Sequence, residues 1–383
     1  MKKIPLLLIL LAMSGCGSVD MVKGWMGATK PGTVEPAKLV EFSQTAHFTE
    51  RWHADFGDSG ASPLQATLTA DAVYGVSGKG VLTRLDRATG RQIWRVDSNI
   101  GVSAGVGSGE GLVLIGSDKG EVQAFGEDGV LRWKHTVSSE VMGVPEVSGG
   151  VVVVRTGDGH ITGLSVADGS RRWIYERSTP ALAVRSHAGV TIRRGVAYAG
   201  FAGGKLVALK VADGSMMWEN SVSVPRGNTE LERISDITSN PQINDAQVCA
   251  ISFQGNLACF ESGQGSPLWN REIGSDKGLF ILRKNLYVSD AKGVVQALDK
   301  DSGSTIWKNE QLLFRDTSAP YGQDGLIVVG DYEGYLHALN RDDGRFVARI
   351  KLDGSALSAA PVQMDDGMLV QTRKGSVYSL TLH

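Results

Sequence analysis

The chain lacks most of the marks by which an enzyme of its size is read. Its 383 residues hold three cysteines, and its seven histidines, at 47, 53, 135, 160, 187, 337 and 383, never stand at metal-ligand spacing. There is no G-x-S-x-G elbow, phosphate loop or H-E-x-x-H, so no constellation for catalysis can be assembled and neither a metal nor a cofactor is expected. Basic charge is not in excess: 39 Lys and Arg face 41 Asp and Glu, a net charge of −2. A nucleic-acid partner, which needs a dense basic face, is therefore not indicated. Long apolar runs are missing as well. The longest, Ile4 to Met13, is too short to span a bilayer.

What the chain has is repetition. The stretch Gly120 to Trp133, GEVQAFGEDGVLRW, recurs with variation eight times, as a glycine turn, an alternating strand, a second glycine turn and a Trp four residues later. The first glycines are Gly80, Gly120, Gly159, Gly204, Gly255, Gly293, Gly334 and Gly375, with steps of 40, 39, 45, 51, 38, 41 and 41 residues. A strand-rich period near 40 is the signature of a β-propeller, in which no repeat buries its own faces alone. The expected fold is all-β, an eight-bladed propeller of four-stranded antiparallel blades; in unit two the strands are roughly SAGVGSG, LVLIGSD, EVQAFG and VLRWKHTV. Length alone would suggest two or more domains, and the repeat overrides it. Acidic turns such as Ser117-Asp118-Lys119-Gly120 and Asp331-Tyr332-Glu333-Gly334 resemble calcium loops but recur once per blade, which makes them turn chemistry.

Two repeats are defective. The seventh has Ala348 in place of its Trp, and the eighth ends at the C-terminus after its third strand. Trp52, in HFTERWHADFG, is the repeat-like Trp without an upstream hairpin, so the N-terminal strand around it should complete blade eight and close the ring. The propeller then covers 47–383, its Trp residues wedged between neighbouring sheets. Trp25 is left over.

Residues 1–15 read as an export leader ahead of Ser14-Gly15-Cys16, and a leader is no part of the fold. Without Lys2 and Lys3 the balance becomes 37 basic residues against 41 acidic, or −4. The stretch 16–46, broken by Pro31, Gly32 and Pro36, reads as a tether. Cys249 and Cys259 flank the Gly255 turn, so they can face each other across adjacent strands, either as a disulfide or as two buried thiols.

The two long steps place extra residues after Trp173, in IYERSTPALAVRSHAGV, and after Trp218, in ENSVSVPRGNTELERISDITSNPQI. Both insertions join the fourth strand of one blade to the first of the next, and both should rise on the disc face that carries the first-glycine hairpins. Extra length on a rigid scaffold is where binding sits. Leu182, Val184 and Arg185 form an apolar pair with a guanidinium in the first insertion. Asn228 with Glu230, Leu231 and Glu232 suggests a capped turn in the second, which ends at Asp236. Arg185 and Asp236 serve either a partner or each other.

The Ser-Gly-Cys ending resembles the lipobox of bacterial lipoproteins, which implies lipidation at Cys16; Gly17, rather than Asp, implies sorting to the outer membrane. Together with PALAVR, GNTELERISD and GDYEGYLHALNRDDGRFVA, the whole chain resembles the BamB family, propeller lipoproteins of the outer-membrane β-barrel assembly (BAM) machinery. The resemblance implies a non-enzymatic, lipid-anchored scaffold facing the periplasm. Its implied partners are a POTRA domain of the insertase BamA, the other BAM subunits and unfolded outer-membrane protein clients. It assigns the insertase contact to Leu182, Val184 and Arg185 and to an acid at Asp236. A second acid expected two residues on is Thr238 here. The alternative is a periplasmic quinoprotein (PQQ-dependent) dehydrogenase, which shares the repeat; such enzymes carry adjacent cysteines and a calcium site, and this chain has no adjacent cysteine pair.

Overall fold

Alternation of apolar and polar residues between glycine turns leaves each segment only one way to bury itself, as a strand in a small sheet packed face to face on the next. The computed structural model describes residues 35–180 and 182–383, and there the regular structure is all strand. Eight four-stranded antiparallel sheets follow one another: 67–97, 102–136, 146–175, 190–221, 242–271, 279–309 and 321–351 form blades one to seven in sequence order. Blade eight is mixed in origin. Its first three strands come from 362–382, and its fourth is Phe48–Asp55, paired with Ser376–Leu382 from Phe48↔Leu382 to Asp55↔Ser376.

The core lies between blades. Leu114, Val122 and Trp133 of blade two, for example, pack with Val152, Val154 and Leu164 of blade three. One joint repeats around the ring. The Trp133 indole nitrogen donates to Val166 O of blade three at 2.9 Å, and its ring lies on Gly169, where a Cβ would come within 2.5 Å. Gly169 also sits at φ 71°, so the turn and the close approach both require glycine. Trp52 makes the same bond across the closure, to Arg87 O of blade one at 3.1 Å, and lies on Gly90.

This joint explains the exceptional blade. Blade eight has no hairpin between its third and fourth strands, because the chain's two ends meet there, and so it offers no turn glycine for an indole from blade seven. Ala348 is fully buried at that position. The backbone amides of Thr45 and Ala46 instead donate to Val347 O at 2.9 and 3.1 Å, and Phe42 stacks on Phe346 with centroids 5.5 Å apart. Further back, Ala37 N donates to Leu313 O at 2.8 Å. Of the stretch assigned to a tether, residues 37–46 are thus laid along blade seven, because their backbone finds partners that a linker would leave to water. The expected leader over 1–15, Cys16 and Trp25 lie outside the described residues.

Cys249 and Cys259 are register partners in blade five, both fully buried, with Cα atoms 4.1 Å apart and their sulfurs joined. Alkylation of denatured, unreduced protein should therefore label neither of them, and reductant should expose two further labels by mass. Closing this ten-residue separation adds about 2–3 kcal/mol in the chain-entropy account, so Cys249→Ala with Cys259→Ala should lower the unfolding midpoint. Two labels without reductant would contradict the bond.

Candidate functional site

Connections leaving a fourth strand return to the first-glycine hairpin of their own blade: Val137 N donates to Gly120 O and Val222 N to Gly204 O, both at 2.8 Å, and in blade three Arg177 O lies against Gly159. The blade-to-blade connections and those hairpins therefore share one face of the disc. The long connections 176–189 and 222–241 rise there in contact. Gly189 N donates to Asn240 Oδ1 at 2.7 Å, and Thr191 Oγ1 to Pro241 O at 2.8 Å.

The tightest link is Asp236. Its Oδ2 accepts the Val184 amide at 2.6 Å and its Oδ1 the Gly203 amide at 2.9 Å, while its own carbonyl accepts Phe253 N at 2.8 Å. One carboxylate thus ties the first insertion, the blade-four hairpin and the blade-five hairpin together. Asp236 is only 3% exposed, so its charge is spent on backbone amides inside the chain. It does not pair with Arg185.

The residues in front of this brace are open. Leu182 is 42% exposed, Val184 is half-buried and the Arg185 side chain is 65% exposed. Arg185 pairs with Glu140, in the connection between blades two and three. A pair this exposed is worth at most about 1 kcal/mol and yields readily to another carboxylate. His187, beside it, is held below the ordinary imidazole range by burial and by the Arg185 charge. In the second insertion the cap belongs to Thr229 rather than Asn228. Glu232 N donates to Thr229 Oγ1 at 3.2 Å while Glu232 Oε2 accepts the amides of Asn228 and Thr229 at 2.8 and 3.2 Å, a reciprocal box that holds the Glu232 carboxyl below its usual range. Leu231, carried on that turn, is 66% exposed.

Thr238, the residue in place of a second acid, is half-buried and lines a central cavity of about 450 Å³ with Asp276, Lys277 and Asp316. Lys277 Nζ lies 3.0 Å from Asp276 and 2.7 Å from Asp316, so the one ammonium is shared between the two carboxylates. No group of three or more His, Cys, Asp or Glu placed to hold a metal occurs among the described residues. Sequence reasoning missed Glu140 and Gly203. Neither sits in a segment of unusual length, and only the shared face brings them to the insertions.

Residues 78–309 and 291–383 match the family model described as outer membrane protein assembly factor BamB. The chain is 38% identical over 364 residues to the BamB of Burkholderia pseudomallei, covering 95% of this chain and 96% of that protein. It is 32% identical over 389 residues to the BamB of Escherichia coli, covering 99% and 98%. Among solved structures, BamB from Moraxella catarrhalis superposes with a TM-score of 0.81 at 26% identity, over 87% of this chain and 99% of that one. A quinohemoprotein alcohol dehydrogenase from Comamonas testosteroni gives 0.71 at 14% identity, covering 87% of this chain and 76% of that one, a likeness of fold alone. A match of this extent to the family model, with relatives above 30% identity along nearly the whole length, means that the chain belongs to the family of outer membrane protein assembly factor BamB.

Proposed function

We propose that this chain is a non-catalytic scaffold of the outer-membrane β-barrel assembly machinery, and that its paired insertions dock a periplasmic POTRA domain of the insertase BamA. The observation that carries the reading is the braced segment itself: Leu182 and Arg185 stand exposed while Val184, between them, is pinned from behind by Asp236. Exposed apolar side chains on a loop that cannot collapse are a preorganised anchor, and preorganisation raises affinity by cutting the ordering cost of binding. Arg185 supplies the charge. On docking it exchanges Glu140 for an acid of the partner, which favours specificity and encounter more than raw affinity. Leu231 on its capped turn extends the same face. A lipid on Cys16 would hold the ring at the outer membrane, turned toward the periplasm, with unfolded barrel chains as its clients.

Replacing Leu182, Val184 and Arg185 together by alanine should cut capture of BamA by at least about tenfold, one 1.4 kcal/mol step. The unfolding midpoint should move little, because Val184 is held through its backbone amide, which alanine keeps. Capture at the original level would remove these residues from the interface.

A further inference from the structure

We propose that residues 37–46 form a strap whose grip on blade seven is released when His337 takes up a second proton, so that acidification lengthens the link between the ring and everything N-terminal to it.

Beyond the amides of Thr45 and Ala46 on Val347 O at its C-terminal end, the strap is held at few points. Ala37 bonds to the 310–320 connection through Leu313 O, and Arg315 Nη1 donates to Ala37 O at 3.0 Å. The middle hangs on Arg349. Its Nη1 donates to Val40 O at 3.0 Å, its backbone amide to Gln44 Oε1 at 3.0 Å, and its guanidinium lies 4.9 Å from the Phe42 ring centroid and 5.4 Å from that of Phe346. Arg349 is in turn aimed by the side chain opposite it in the sheet, since His337 and Arg349 are register partners in blade seven.

The imidazole of His337 is fully buried, with Nε2 3.0 Å from Asp331 Oδ2 and Nδ1 3.0 Å from Arg349 Nε. A guanidinium carries only donors, so Nδ1 must accept and Nε2 must carry the single proton. The ring is locked neutral. Charging it would put an N–H against the Nε–H of Arg349 and two cations side by side, one of them fully buried, and Arg349, only half-buried, is the group free to leave.

The charged groups around the ring do not offset this. Asp331, from the hairpin of blade seven, already accepts Arg315 Nε at 2.8 Å and the amides of Glu333 and Tyr335 at 3.0 Å. Glu333 is taken by Arg315 from the preceding connection. Glu41, on the strap, bears on Arg349 rather than on the imidazole. Burial, the largest influence, outweighs the upward pull of Asp331 and, with smaller help from Arg349 and Arg315, holds His337 below the ordinary imidazole range.

The sign follows from that depression. With His337 neutral the grip is complete above the ordinary imidazole pKa; it is lost as pH falls from there through the lower value of the folded ring, because the opened strap binds the additional proton. Opening frees about ten residues, which at about 3.3 Å each add roughly 30 Å of reach.

Hydrogen exchange of the peptide covering 37–46 in the full chain, corrected for intrinsic rates, tests the proposal. Between about pH 7.5 and about pH 5.5 the opening constant should rise, by up to about tenfold, the limit set by one proton per unit below an ordinary imidazole value. In His337→Gln, whose amide donates and accepts without titrating, the rise should vanish. Arg349→Lys, which loses the reach to Val40, should leave the strap open at both values. Protection that ignores pH in the unaltered chain, or that changes equally in His337→Gln, overturns the proposal. Should His337→Gln fail to fold, the ¹⁵N shifts of the unaltered ring decide: a neutral Nε2–H tautomer near neutral pH supports the lock, and a charged ring there ends it.

Discussion

Asp236→Ala is expected to abolish capture of BamA and to destabilise the ring, although Asp236 itself is only 3% exposed. Alanine leaves the amides of Val184 and Gly203 without their acceptor. An orphaned buried donor costs about 1–3 kcal/mol, so this part-buried pair predicts a loss of at most roughly 2–6 kcal/mol by denaturant titration. The binding loss has a different origin. Freed from its brace, the first insertion must be ordered again each time it binds, and the side chains Leu182 and Arg185 lose their common backbone support. Asp236→Asn should fall between, since its Oδ1 can still accept one amide. The contrast with the triple alanine variant makes the test sharp: there binding falls and stability stays, here both fall together. Full stability in Asp236→Ala would show that the two amides find water, and that the brace is dispensable.

The ring was legible in the sequence because its joints depend on residues with few substitutes. An indole that must lie on a turn needs a glycine beneath it, and the spacing of Trp and Gly carries that requirement from Trp52 on Gly90 to Trp307 on Gly344. The anomaly at Ala348 was legible for the same reason, since a missing indole marks the one joint without a turn to receive it. The insertions showed themselves by length. What stayed hidden depends on which backbone groups meet in space. An acid at the end of a long loop reads as a surface charge, and nothing local says that two amides, one 33 and one 52 residues away, consume it. The strap was hidden by its own composition, because Pro31, Gly32 and Pro36 announce a linker while the hydrogen bonds that dock 37–46 are mostly to main-chain atoms. His337 and Arg349 lie twelve residues apart in sequence, on neighbouring strands of one blade, and only the strand register pairs them.

The closure of blade eight predicts the largest effect of all. A chain beginning at residue 47 loses the strap but keeps the strand Phe48–Asp55, and should stay folded and elute in the same oligomeric state as the full chain. A chain beginning at residue 57 loses that strand too, and with it the seven register pairs to Ser376–Leu382 and the Trp52 wedge against blade one. Removing a buried Trp side chain alone costs about 3–5 kcal/mol, and with the strand pairing gone the loss becomes comparable with the about 5–15 kcal/mol by which whole domains are stable. It also exposes the edge of Ser376–Leu382, a row of unpaired amides and carbonyls that recruits other chains. Size-exclusion chromatography should show the shorter chain as oligomers or aggregate, and a synthetic peptide of residues 47–57 supplied during refolding should return part of it to monomer. A monomeric chain beginning at residue 57 with an unchanged unfolding midpoint would mean that the propeller is held blade by blade, and that the meeting of its two ends adds nothing to its stability.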